Sequence, residues 1–377
     1  MLRKALSVML CLVLLASVFP VLADSDHSET VSSFGDISSL FFLHGFILGE
    51  DSLEFYTTTL FANETGDDLL REGIWDIISR WCSEGSKLSV RPYQFGAKAV
   101  KISNMTMRPG IRMAEAYANS LTDRLSKTEK NCLKEIGRAV ENLQKKHPAG
   151  SVELELAIYD YICDRLEYRT SKSSAEREKL TSACYAFLNR EGNCQAYADL
   201  FYTMTTIAGF ETSVIAGEVD GGHVWNTILI GTDLVMVDVT FGDSGDSDVP
   251  IPNHYWFNFG LDRVGNHKWN KQVFDYEFLK KTRTNLTYYS NWNELFGTTA
   301  DSPSKAVEYC IGRGKRGKAR CEVLLPGRHW SSQDFDGLLK KQTRGRRYCE
   351  WTYWLDDEGP DTVLRLYWNS FDGKKLK

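Results

Sequence analysis

The sequence predicts an α+β fold, and three observations carry that expectation. A helix-periodic apolar run at Cys194–Ala208 directly precedes two strand-like runs. Those runs, His223–Ile230 and Leu234–Thr240, are rich in β-branched residues and flank Gly231-Thr232-Asp233. At each end of the chain, strand and helix patterns recur in the same order, which an all-α or all-β fold would not require.

In the central helix the set Ala196, Tyr197, Leu200, Phe201, Met204, Ile207 and Ala208 recurs at i, i+3, i+4, i+7 spacing. Asn193 is suited to cap its start, and Gly209 stands where a helix ordinarily stops. Cys194 therefore falls in the first turn, where unpaired N–H groups and the helix dipole favour a thiolate. An isolated cysteine there is more often a small buried hydrophobe. The hairpin shifts that balance. With Gly231 and Thr232 as a two-residue II′ loop, Ile230 pairs with Asp233 and Trp225 lies opposite Asp238. His223 and Asp238 then become diagonal neighbours on one face, within side-chain reach. An aspartate among Val235, Met236, Val237 and Val239 is costly to bury alone, and His223 is its obvious partner. Cysteine, histidine and aspartate in these settings are the parts of thiol catalysis: a nucleophile, a base, and a group that holds the base in one tautomer.

The residues that carry this chemistry also carry a resemblance. Gly192-Asn193-Cys194-Gln195-Ala196-Tyr197-Ala198, Gly222-His223-Val224-Trp225-Asn226 and Val237-Asp238-Val239-Thr240-Phe241 resemble the transglutaminase-like core of the papain-like thiol enzymes. Ile158–Tyr168 looks like that family's lead-in helix; His254-Tyr255-Trp256-Phe257 and Asn266-His267-Lys268-Trp269 look like its closing segment. The resemblance spans roughly residues 150–275. It implies a helix carrying Cys194 packed on an antiparallel sheet carrying His223 and Asp238, with Cys194 as nucleophile, His223 as general base and Asp238 orienting it. Papain-like proteases place a glutamine six residues before the cysteine; here that position is Leu188. The second oxyanion donor must lie elsewhere, with Gln195, Tyr168, Trp225 and Asn226 as oxyanion or supporting candidates; Tyr168 could equally pack as a core aromatic. Family members include proteases, amidases, crosslinking enzymes and peptide N-glycanases. The expectation here is hydrolysis of a peptide, protein or cell-wall amide by a cysteine protease or amidase. Protein crosslinking is the alternative, and a surface adhesion or scaffolding protein that has lost turnover is the reading from another class.

The N-terminus reads as a secretory signal peptide over residues 1–23. It has a basic start, an apolar run from Ala5 to Phe19, and Val21-Leu22-Ala23 ahead of Asp24. The run is too short to span a bilayer and Pro20 ends it, so no stable membrane span and an exported, secreted or surface-associated chain are expected. Removing Arg3 and Lys4 takes the net charge from −5 to −7, which argues against nucleic acid. Nine cysteines less Cys11 and Cys194 leave seven, an odd number, so at least one further thiol lacks a partner within the chain. No pair has zinc-ligand spacing, and no metal or cofactor is expected. Asn63, Asn104 and Asn285 head sequons.

The remaining length divides into an N-terminal α+β module (24–120), the core with its preceding helices (121–298) and a basic α+β module (299–377). Ser52–Leu60 reads as a strand, Asp67–Cys82 as a helix and Lys87–Met107 as strands broken near Phe95-Gly96. Helices follow at Ile111–Lys146 and Ser151–Leu166. Lys318–Leu325 reads as a strand, Ser332–Gln342 as a helix and Tyr348–Trp368 as two strands. Both flanks thus run strand, helix, strand, strand, by duplication or because the order is common. Residues 301–377 hold 16 Lys/Arg against 11 Asp/Glu. Their clusters, Arg313–Arg320 and Lys340–Arg347, either bind an anionic cell-surface polymer or are ordinary solvated faces.

Overall fold

The computed structural model describes residues 29–243, 251–260, 265–269, 298–346, 348–356 and 361–376. Residues 1–23, expected to be a signal peptide, with Cys11, and the Asn285 sequon lie outside them. The chain forms mixed helices and sheets in two compact units. One is built from the residues up to Arg108 with Glu115–Ser126, the other from Pro109–Ala114 and Lys127 onward.

The first unit contains β1 (Thr30–Val31), α1 (Phe34–Leu40), β2 (Ser52–Thr57), α2 (Thr59–Thr65), α3 (Asp67–Trp81), β3 (Lys87–Pro92) and β4 (Lys98–Ser103). Its sheet runs β1-β2-β4-β3, with β4 antiparallel to both β2 and β3. The strand expected to reach Leu60 stops at Thr57, because the Thr58 hydroxyl accepts the Phe61 N–H and starts α2. Helix α3 buries Leu70, Ile74, Ile77, Ile78 and Trp81, one stripe at helical spacing.

Helix α4 (Pro109–Ala118) leads towards α5 (Lys127–Gln144) and α6 (Val152–Cys163). Then come β5 (Glu167–Tyr168), α7 (Ser174–Leu180), α8 (Ala183–Asn189), β6 (Glu191–Gly192) and α9 (Cys194–Ala208). A disulfide joins Cys132 of α5 to Cys184 of α8. Among the described residues Cys82, Cys163, Cys194, Cys310, Cys321 and Cys349 remain free.

Helix α9 is the pillar of this unit. The periodicity predicts one buried face, but Asp199, Thr203 and Thr205 on its other faces are also fully buried. The Thr203 and Thr205 hydroxyls donate to the Asp199 and Phe201 carbonyls one turn back, which satisfies them without water. Beside α9 stands the sheet β7-β8-β9 (Glu211–Glu218, Gly222–Ile230, Asp233–Val237), antiparallel throughout. Asn226 ties the two together, donating through Nδ2 to the carbonyls of Ala198 and Ser213 at 3.1 and 3.2 Å.

The β8–β9 register is the one expected: Ile230 faces Asp233 and Asn226 faces Val237. Gly231 has φ +63°, the positive angle the first residue of a II′ loop requires. The second run departs from expectation at its end. Asp238 leaves the strand and caps α10 (Val239–Gly242), accepting the N–H groups of Thr240 and Phe241. The β-branched residues suggested strand; the local cap won.

The C-terminal stretch contains α11 (Pro303–Lys315), β10 (Arg320–Leu325), α12 (Ser332–Thr343), β11 (Glu350–Asp356), β12 (Thr362–Phe371) and β13 (Lys374–Lys375). Its sheet runs β10-β12-β11, so in both flanks the last of the three main strands sits centrally, antiparallel to its neighbours. A helix precedes the first strand in each. Val307, Cys310, Val323, Phe335, Leu364 and Trp368 form the core of this stretch.

Candidate active site

Cys194 begins α9 as expected. Asn193, in extended conformation, accepts the Gln195 and Ala196 N–H groups on Oδ1 at 3.1 and 3.3 Å. The Cys194 N–H has no partner among the described residues and stays at the helix mouth.

His223, near the start of β8, is 7% exposed and faces two groups. Nε2 lies 2.6 Å from Asp238 Oδ2, and the Cys194 side chain stands near enough to the ring to help raise its pKa. With Nε2 held by the carboxylate, Nδ1 is the nitrogen left for sulfur. The ring stacks on Phe241 at 4.8 Å and 17° and on Trp225 at 5.9 Å and 21°. Burial would lower the His223 pKa, but the Asp238 charge and hydrogen bond, then Cys194, raise it to about 10. Burial would likewise raise Asp238, yet His223 first and His267 second hold it at about 2. His223 and Asp238 are thus poised as an imidazolium–carboxylate pair, each charge offsetting the desolvation of the other.

In the sequence His267 stands only within an expected closing segment. The fold places its Nε2 2.9 Å from the same Oδ2 of Asp238. His223, Asp238 and His267 bring three ligand-type atoms within 4.8 Å of one another, and their mutual hydrogen bonds account for that convergence.

Two backbone ladders deliver the closing segment. Phe259 pairs with Met236 on the β9 edge, and Lys268 pairs with Glu218 on the β7 edge. The Trp256 carbonyl accepts the Asp238 N–H at 3.0 Å.

Residues 138–277 match the model of the transglutaminase-like superfamily. The chain contains a transglutaminase-like core. No curated protein matches it in sequence. Among solved structures it is similar to a candidate cysteine protease from Cytophaga hutchinsonii at 13% identity and TM-score 0.26, covering 43% of this chain and 68% of that one. It is also similar to the periplasmic domain of TgpA from Pseudomonas aeruginosa at 14% identity and TM-score 0.25, covering 43% of this chain and 65% of that one. A TGase shares 10% identity at TM-score 0.26, with 56% of this chain and 59% of that one covered. The aligned part is therefore about three-fifths to two-thirds of these proteins' own length.

Around the transglutaminase-like core the four supporting candidates separate. Tyr168 pairs with Gly192 across β5 and β6 and is 42% exposed rather than packed inside. Burial first, and then the charges of Cys194 and Asp238, raise its hydroxyl pKa. Gln195 is half-buried one residue past the thiol. Trp225 is buried, and its Nε1 has no partner among the described residues. Asn226 has both amide protons committed to backbone carbonyls, so it braces the sheet against α9. Leu188, where papain-like proteases carry glutamine, is 58% exposed.

Proposed function

We propose that this protein is an exported cysteine-dependent amide hydrolase acting on peptide or cell-wall amides. The observation that carries the reading is the Cys194–His223–Asp238 arrangement at the mouth of a buried helix. Cys194 sulfur attacks the amide carbonyl carbon, and the oxyanion is met by the Cys194 N–H. As the C–N bond breaks, His223 gives its proton to the departing amine, leaving a thioester. Water then attacks the thioester carbon and passes a proton to His223. The carboxylic acid leaves and the thiolate–imidazolium pair is restored.

Export is supported by the signal-like N-terminus and by the Cys132–Cys184 disulfide, a bond that persists in oxidising compartments. No helix among the described residues is long and apolar enough to cross a membrane. Binding of an anionic surface polymer by residues 301–377 belongs to the same proposal in weaker form. Arg320 is committed to Asp164 and Arg346 to Asp372, which leaves Lys315, Arg316, Lys318, Lys340, Lys341 and Arg344 exposed.

The test is a panel of peptide and muropeptide amides incubated with the parent protein and Cys194→Ala, with and without a primary amine. Free acid products from the parent alone support hydrolysis. Amine adducts in place of acids would make it a crosslinking enzyme. Turnover by Cys194→Ala would remove the thiol from the mechanism, and a parent inert on every amide would favour the scaffolding alternative.

A further inference from the structure

Asp238 stands where β9 turns into α10, and four donors meet its two oxygens. Oδ1 accepts the Thr240 and Phe241 backbone N–H groups at 3.0 and 3.1 Å; Oδ2 accepts His223 at 2.6 Å and His267 at 2.9 Å. We propose that His267 is a positioning residue, whose Nε2–H pins the Asp238 carboxylate so that Oδ2 meets His223 in one orientation. The proposal rests on the catalytic reading of Cys194, His223 and Asp238.

Two features show that the fold is built around this contact. The His267 ring is held in an aromatic cage, 4.8 Å from Trp225 and Trp256, 5.2 Å from Phe259 and 5.6 Å from Phe241. A histidine in so apolar a cage needs its polar atoms satisfied, and Asp238 satisfies one. The second feature is Gly217. A Cβ there would lie 2.2 Å from the Lys268 carbonyl oxygen and 2.7 Å from Cη2 of Trp225. Only glycine lets the His267 segment close onto β7 at that point.

Backbone donors fix Oδ1 alone. Without His267 the carboxylate can rock about that anchor, and Oδ2 drifts from the imidazolium it stabilises. The ion pair between Cys194 and His223 then forms less completely, and less thiolate is present at low pH. Among the described residues Tyr168 from β5, and Tyr159 and Cys163 from α6, also sense Asp238, and Asp243 stands beside Cys163 and Tyr197.

The experiment is the pH profile of Cys194 alkylation by iodoacetamide, followed by peptide mass spectrometry on the full-length protein. His267→Phe should fill the cage without a donor, cut the rate at pH 6 by roughly tenfold, and move the acid limb to higher pH. Losses of about that size follow removal of outer hydrogen-bond partners at other sites. His267→Gln keeps an N–H donor and should recover most of the rate. Gly217→Ala should displace the segment and move the limb in the same direction with no titratable group changed; should His267→Phe fail to fold, the smaller donor-free His267→Leu takes its place. An unmoved profile in the folded variants, or equal loss in the Phe and Gln variants, overturns the proposal alone. A parent Cys194 that reacts no faster at pH 6 than glutathione overturns the catalytic reading and this inference together.

Discussion

His254 Nδ1 lies 2.5 Å from Glu322 Oε2, so one buried pair joins the segment backing Asp238 to the first strand of the C-terminal sheet. On its other side His254 Nε2 lies 2.7 Å from Asp160. Burial would lower the His254 pKa, but Glu322 first and Asp160 next raise it to about 10. A raised pKa means that this pairing contributes fully below the unfolded value of 6.5 and fades as pH climbs through 10. Glu322→Gln should therefore cost about 3–5 kcal/mol in urea unfolding at pH 7, the scale for one partner of a buried pair. The deficit should shrink above pH 10. Arg365, almost wholly buried, donates to the Ile251 carbonyl at 2.6 Å, and Arg320 grips Asp164 at 2.9 and 3.0 Å. A chain ended at Thr298 should consequently be insoluble, or carry a Cys194 that alkylates slowly. A soluble, reactive truncation would show that the C-terminal sheet is a separable accessory.

Asp238→Asn should reduce turnover by at least about tenfold. Serine triads lose roughly 10⁴ on the same change because the amide favours the wrong imidazole tautomer. On the proposed mechanism a thiolate–imidazolium pair would already hold the proton on His223 and feel the change less. Steady-state kcat/KM on the best substrate is the readout, and an unchanged value would mean another group orients His223.

Glu155 of α6 is wholly buried and accepts one hydrogen bond, from Asn258 Nδ2 at 3.0 Å, while its Oε1 has no partner among the described residues. Burial pushes its carboxyl up to about 8, against 4.5 unfolded, and the Asn258 bond only partly counters that. The sign is opposite to that of a paired carboxylate: stability is complete below pH 4.5 and erodes as pH rises towards 8. Glu155→Gln should match the parent near pH 4.5 and exceed it by up to about 5 kcal/mol near pH 9. Denaturant melts at the two pH values check it. A parent curve flat from pH 5 to 8 would count against a buried neutral acid.

Brief alkylation near pH 6 should label Cys194 at least about a hundredfold faster than Cys82 or Cys163. Burial raises the Cys82 thiol to about 11; burial, then Asp243, carries Cys163 well above its ordinary value. Peptide mapping by mass spectrometry reads the ratio directly.

Much of the candidate site is legible in the sequence because its geometry is local. The Asn193 cap, the Gly209 stop and the two-residue loop at Gly231 together fix where Cys194, His223 and Asp238 fall. What escaped is long-range. His267 reaches Asp238 across 29 positions of chain, and no spacing rule links them. The nearest signal was its company: a histidine close to Trp256, Phe259 and Trp269 is one the fold has reason to bury. Glu322 and Arg365 lie on alternating strands, where charges usually face solvent. Their inward direction follows only once β10 and β12 are seen to back onto the 251–257 segment. Helix α11 is not legible in the sequence although Ser302-Pro303 is a sound start signal, because Gly312 and Gly314 blur its C-terminal half.

The Cys132–Cys184 bond spans 52 positions and fastens α5 to α8, the helix immediately upstream of the β6–Cys194 turn. In the chain-entropy account, closing a loop of that length disfavours the unfolded chain by about 4 kcal/mol. Until the bond forms, the polypeptide that holds the nucleophile in place is correspondingly looser. A dithiol reductant would thus have two separate actions on this protein, and only the second is structural. It can keep Cys194 reduced and so ready to attack, while it loosens the frame that aims it. Disulfide formation and thiol reactivity therefore make opposite demands on the redox state of one small group of sulfurs, and on the proposed export an oxidising compartment would settle them in favour of the frame.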